Sequence, residues 1–199
     1  MITRKEMTRM LLKEGLLSWL ANNSFESVTV TSLCKASGIT RSTFYLHYSN
    51  IMEIVDDLVD DAIAYSKPGM VDNNNLQTIA NTLSAASNSV SLREAYDSIF
   101  DRLPLCQRII RHKKYLPLFL DEQISEYVLQ RIIGREKDRQ GLVIAESLGV
   151  SFDVGVSVFV FLVHGLYAIN KEYKWIQSDE WLEAQKTIFE LVYRGLQSK

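Results

Sequence analysis

The side chains best equipped for chemistry in this 199-residue chain lie together, between Thr29 and Tyr48. Thr40, Arg41, Ser42 and Thr43 follow Gly38-Ile39, while Tyr45, His47 and Tyr48 surround Phe44 and Leu46. Hydroxyls, an imidazole and a guanidinium at this density suit hydrogen bonding to phosphate oxygens and base edges. A helix-turn-helix needs two short helices crossing steeply, joined by about 3–4 residues that often include glycine. Thr29 is placed to cap a first helix through Ser37, and Thr40 a second running to Leu46 or His47. Gly38 supplies the backbone freedom of the turn between them. Cys34 is small enough for close approach, and Ile39 and Phe44 can plug the space against Val30 and Leu33. Thr40, Arg41, Ser42, Thr43, Tyr45 and His47 are then left on the outer side.

Other reactive residues point nowhere in particular. No Gly-rich phosphate loop, H-E-x-x-H or G-x-S-x-G occurs, so an enzyme is not expected. Cys34 and Cys106 lack C-x-x-C spacing and read as a packing residue and an inert thiol. Asp56/Asp60 and Asp57/Asp61 repeat at four-residue steps, but no nearby His or Cys completes a ligand set, so they read as a solvated helix face. His112 and His164 read as core histidines or cavity walls. No metal and no cofactor is expected.

The elements that must position these groups are helical. The composition is 47% hydrophobic and 23% charged with a net charge of -2, which excludes disorder. Residues 1–50 carry six basic side chains against three acidic ones, a net +3, leaving -5 on the remainder. That asymmetry suggests a polyanion-facing end on an acidic body. The first apolar run, Met10 to Leu12, meets Lys13 and Glu14 at once, so no secretory signal is read and the chain reads as cytoplasmic.

Met7, Met10, Leu11, Leu17 and Leu20 recur at helical steps through Thr3–Asn23. Ser49 or Asn50 caps a helix with Ile51, Ile54, Val55, Leu58 and Ala62 on one face. After a loop near Lys67-Pro68-Gly69 and Asp72–Asn75, helices are predicted over Leu76–Ser89, Leu92–Asp101, Leu105–His112, Pro117–Lys137 and Asp179–Leu196. Phe152–Asn170 alternates valine with Gly, Ser and Phe, imitating a strand, but outruns the usual length of about 5–6 residues. Its Val154–Ile169 block, 16 residues containing His164, is shorter than the roughly 20 a membrane span needs. It reads as a buried helix, no membrane partner is expected, and the protein is all-α.

Roughly residues 9–55 resemble the N-terminal domain of the tetracycline-repressor family of bacterial transcription regulators. The resemblance rests on Phe25-Glu26, Thr29-Val30, Leu33, Gly38-Ile39-Thr40, and above all Thr43-Phe44-Tyr45 followed by His47-Tyr48. It implies a three-helix helix-turn-helix domain over residues 1–50 and a helical effector-binding and dimerisation bundle over 51–199, with 51–66 as a connecting helix. Thr29 would present a helix N-terminus to a phosphate. Thr40, Arg41, Ser42 and Thr43 would open a recognition helix in the major groove, with Arg41 reading guanine. Tyr45, His47 and Tyr48 would grip the sugar-phosphate backbone. Ser42, Leu46 and Ile51 stand where the family usually has Gly, a basic residue and Lys, and the last change removes one cationic phosphate contact.

The family's C-terminal domain binds a small-molecule effector and dimerises. The resemblance therefore implies a homodimeric repressor on a palindromic DNA operator, released by an effector. The chain agrees on dimerisation, because Phe152–Asn170 is apolar on almost every face. Phe159, Val163, Trp181, Ile188, Phe189 and Val192 are the expected residues of a two-fold, four-helix interface. Tyr96, Phe100, His112, Phe119, Tyr127, Phe159 and His164 are candidate effector-lining residues, and their aromatic character suggests a small hydrophobic ligand. The competing reading is a helix-turn-helix adaptor that binds a protein partner, motivated by Leu46, Ile51 and the slight N-terminal charge.

Overall fold

The computed structural model describes residues 3–66, 75–103, 107–108 and 113–197. Its helices are α1 (Arg4–Leu20), α2 (Val30–Ser37), α3 (Arg41–Tyr45), α4 (Ile51–Ser66), α5 (Asn75–Ser84), α6 (Ser89–Ser98), α7 (Pro117–Leu120), α8 (Ser125–Leu148), α9 (Phe152–Glu172) and α10 (Asp179–Gln197). No strand occurs among the described residues, so the fold is all-α. The helix expected over Leu105–His112, with Cys106 and His112, lies largely outside them. Residues 1–65 and 112–132 form one compact unit and residues 66–111 and 133–199 another. The first unit is thus larger than residues 1–50, taking in most of α4 and a later piece of chain.

In the first unit, local signals start and stop the helices. Thr3 caps α1 with a reciprocal bond to Glu6, and Thr29 caps α2 in the same way with Ser32. Asn50 accepts from the Glu53 amide at 3.1 Å to start α4. The expected helix is present; its buried face is Thr8, Leu12, Leu16, Leu17 and Leu20, whereas Met7, Met10 and Leu11 are exposed. Thr8 tolerates burial because its hydroxyl donates to the Arg4 carbonyl at 3.0 Å.

The acidic side of α4 is not a solvated face. Asp57 accepts from Arg9 Nε at 3.0 Å and from the Tyr48 hydroxyl at 2.6 Å, and Asp61 pairs with Lys13. Arg9 and Lys13 are one turn apart on α1, as Asp57 and Asp61 are on α4, so two rungs tie the helices together. Asp56 faces another way, accepting from Tyr127 at 2.7 Å and pairing with Arg131 at 3.0 Å. The helix expected over Pro117–Lys137 is interrupted at Asp121. One oxygen of that carboxylate accepts from the Gln123 and Ile124 amides, and the other from the Phe25 amide at 2.6 Å. This side chain turns the backbone before α8 begins, and α8 then runs on to Leu148.

In the second unit α10 packs on α5, α6 and α9. Ser84 donates to Glu190 at 2.7 Å, Arg93 pairs with Asp179 at 2.8 Å, and Lys186 donates to the Ala86 carbonyl at 3.0 Å. Where α8 meets α9, Gly141 and Gly155 let the backbones approach: a β-carbon on Gly155 would collide with the Gly141 carbonyl oxygen and with Ala145. Gly155→Ala gains about 1 kcal/mol of helix propensity but loses more to overpacking, about 1–3 kcal/mol. A net destabilisation is expected in urea melts, whereas Gly134→Ala, with open space around the new methyl, should stabilise.

Helix α9 has 21 residues, and the expectation that this segment is too short for a membrane span is corrected. Among the described residues it is the one helix long and apolar enough to cross a membrane by length and composition. Nor is it wholly buried: Phe152, Val154 and Phe161 face outward.

Candidate nucleic-acid interface

Helix α3 has five residues, too few to persist alone, so its position depends on packing. Phe44 provides the anchor. It is fully buried, edge-on to Tyr45 at 5.2 Å between ring centres and tilted against Tyr48 at 6.2 Å. Before it, Gly38 takes the left-handed conformation, φ +66°, and ends α2 with its amide on the Cys34 and Lys35 carbonyls. Thr40 then accepts from the Thr43 amide at 3.2 Å and begins α3. Leu33 and Cys34 are buried between the helices, as expected, and burial pushes the Cys34 thiol pKa up.

Thr40, Arg41, Ser42 and Tyr45 are exposed, Thr43 and His47 are half-buried, and Thr29 is exposed at the start of α2. The Thr40 hydroxyl lies 3.0 Å from that of Ser42 and 2.8 Å from that of Thr43, so these three groups satisfy one another in the free protein. Arg41 has no hydrogen-bond or ion-pair partner among the described residues, and Lys35 in the last turn of α2 is also exposed. His47 turns Nδ1 inward, where it has no partner.

Tyr48 is a correction. It is 3% exposed, with the Arg9 guanidinium 5.0 Å over its ring and its hydroxyl spent on Asp57. Burial, then the hydrogen bond to Asp57, push its pKa well up. Its hydroxyl is committed inside the unit. Arg9 and Lys13 are likewise committed to carboxylates, so Arg4, Lys5, Lys35 and Arg41 carry the exposed charge of this end. Sequence counting cannot separate the two sets, because the partners lie 48 residues away.

The candidate effector residues divide between the units. Phe119 and Tyr127 belong to the first, where Phe119 is buried and Tyr127 is bonded to Asp56. Tyr96, Phe100, Phe159 and His164 belong to the second, and His112 lies outside the described residues. Two clefts of the first unit, one beside Leu20 and Asp121 and one beside Met10, Lys13 and Leu58, contain none of them.

The expected dimer residues also need correction. Trp181, Phe189, Phe159 and Val163 are buried within a single chain, and only Ile188 and Val192 are half-exposed. The outward apolar residues nearby are instead Val154 and Phe161 on α9 and Leu191 on α10. Nearly uniform apolarity along α9 hid which face its neighbours cover. Among the described residues no cluster of His, Cys, Asp and Glu suits a metal ion. Compared with known proteins, the chain matches no family model, no curated protein and no solved structure.

Proposed function

We propose that this protein is a DNA-binding transcription regulator of the tetracycline-repressor kind, a cytoplasmic homodimer that represses from a palindromic operator and is released by a small molecule. The observation that carries the reading is α3 itself: a short helix capped by Thr40, anchored by Phe44 and following a left-handed glycine, with Arg41, Ser42 and Tyr45 held outward. A helix entering the major groove reads bases with its N-terminal residues, and the guanidinium at that end is Arg41. The amides opening α2 and the exposed Lys35 suit flanking phosphates.

One such helix covers few base pairs, so specificity calls for two copies. Val154, Phe161, Ile188, Leu191 and Val192 are the apolar groups that self-association would cover. An effector favouring a different spacing of the two α3 helices would weaken DNA binding, and DNA would weaken effector binding by the same factor.

The adaptor reading draws on Leu46, which directly follows α3 and is 80% exposed. The two readings part at Arg41. Arg41→Ala is expected to weaken binding to a duplex enriched from a random pool by about 5- to 150-fold, read by fluorescence anisotropy, with the thermal melt unchanged. Equal binding by parent and variant, or no enriched duplex at all, would favour the adaptor.

A further inference from the structure

We infer that the second unit holds a site for an uncharged, carbonyl-bearing small molecule, built on the side-chain amides of Asn170 and Gln185. Only its link to DNA release rests on the regulator reading above. Both residues are fully buried. The Trp181 indole N–H donates to Asn170 Oδ1 at 3.0 Å. Because an indole nitrogen only donates, this bond fixes the orientation of the Asn170 amide and turns Nδ2 away from Trp181. That Nδ2 has no hydrogen-bond partner.

A second chain of bonds ends one turn along α10. The Tyr96 hydroxyl donates to Gln107 Oε1 at 3.3 Å, and Gln107 Nε2 donates to Gln185 Oε1 at 3.1 Å. Gln107 and Gln185 are fully buried, Tyr96 is 1% exposed, and Gln185 Nε2 is again without a partner. Trp181 and Gln185 are four residues apart on α10 and so lie on the same face of that helix. Tyr167, one turn before Asn170 on α9, adds a buried hydroxyl with no partner.

Unsatisfied buried donors are costly, and an apolar side chain of similar size would avoid the cost. An incoming acceptor recovers it. The surroundings are aromatic: Tyr96 stands edge-on to Trp181 at 5.2 Å, and Tyr167 to Trp175 at 5.7 Å. The unpaired donors on Asn170, Gln185 and Tyr167 are neutral. A ketone, ester or amide oxygen needs no counter-charge, whereas a desolvated carboxylate does. The turn closing α9 onto α10 holds Lys174 and Trp175 at φ +50° and +59°, a conformation bulky residues rarely adopt. It is pinned by the Trp175 amide on the Asn170 carbonyl at 2.8 Å.

The test uses the full chain and four probes of similar size: acetophenone, benzamide, benzoate and ethylbenzene. Affinities come from ligand-observed NMR, and side-chain amide signals from nitrogen-labelled protein. Acetophenone and benzamide are expected to bind about tenfold tighter than ethylbenzene and to shift the Asn170 and Gln185 NH2 signals. Asn170→Leu should erase that preference while ethylbenzene still binds; if that variant does not fold, Gln185→Met should reduce it. Equal affinity for acetophenone and ethylbenzene overturns the proposal. So does preference for benzoate, no binding at millimolar probe, or a resident water on Asn170 that acetophenone leaves in place. DNA binding is measured separately: carbonyl preference without DNA binding keeps the site and removes the regulator, and the converse removes only the site.

Discussion

Phe44→Ala is expected to destabilise the first unit by about 3–5 kcal/mol and to abolish the DNA binding proposed above. The ring is fully buried and touches Tyr45 and Tyr48. A five-residue helix has too few internal hydrogen bonds to survive without that contact. Small domains are stable by only about 5–15 kcal/mol, so the loss is a large share of the total. Hydrogen exchange reads it directly: amides of residues 3–65 should lose protection, while those of α9 and α10 keep theirs. Phe44→Leu, which retains most of the volume, should cost less than about 1.5 kcal/mol. Unchanged protection in Phe44→Ala would mean that something other than this ring holds α3.

Asp57→Ala is expected to cost about 2–3 kcal/mol, below the 3–5 of a fully buried pair because the carboxylate is 24% exposed. The variant strips an acceptor from both Arg9 and the buried Tyr48 hydroxyl. The effect should depend on pH. Burial alone would raise the Asp57 pKa, but hydrogen bonds from Arg9 and Tyr48, with the charges of Arg9 and Lys13, outweigh it and hold the group below its usual 3.8. A carboxyl depressed in the folded state contributes stability that is complete above the unfolded pKa and is lost as pH falls through the folded one. Urea melts of parent and Asp57→Ala should therefore differ constantly at neutral pH and converge below about pH 4. A gap that stays constant into acid would show that the ion pair is not its source.

What the sequence made readable was local. Thr29, Gly38 and Thr40 act within three or four residues of themselves, and Phe44 sits between polar neighbours, so the turn and its helices follow from chemistry at short range. Arg9 and Asp57 are different. Both are charged residues on amphipathic helices, and nothing near either one announces a partner 48 positions away. Tyr48 was misplaced for the same reason: its hydroxyl is satisfied by α4, whose packing is tertiary. Asp121 breaks a predicted helix because its carboxylate serves amides on both sides of a turn, including distant Phe25. On α9 the periodicity identifies a helix but not its covered face, and Phe161, at 66% exposure, shows how far the two can part.

In the regulator proposed above, α3 enters the groove of duplex DNA in two symmetric copies. Selection from a random duplex pool, followed by salt titration of the winner, decides whether it does. The expected result is an inverted repeat with half-sites about 34–36 Å apart and a log–log salt slope of about -0.9 for each phosphate neutralised. A pool that stays random, or binding indifferent to salt, would contradict it.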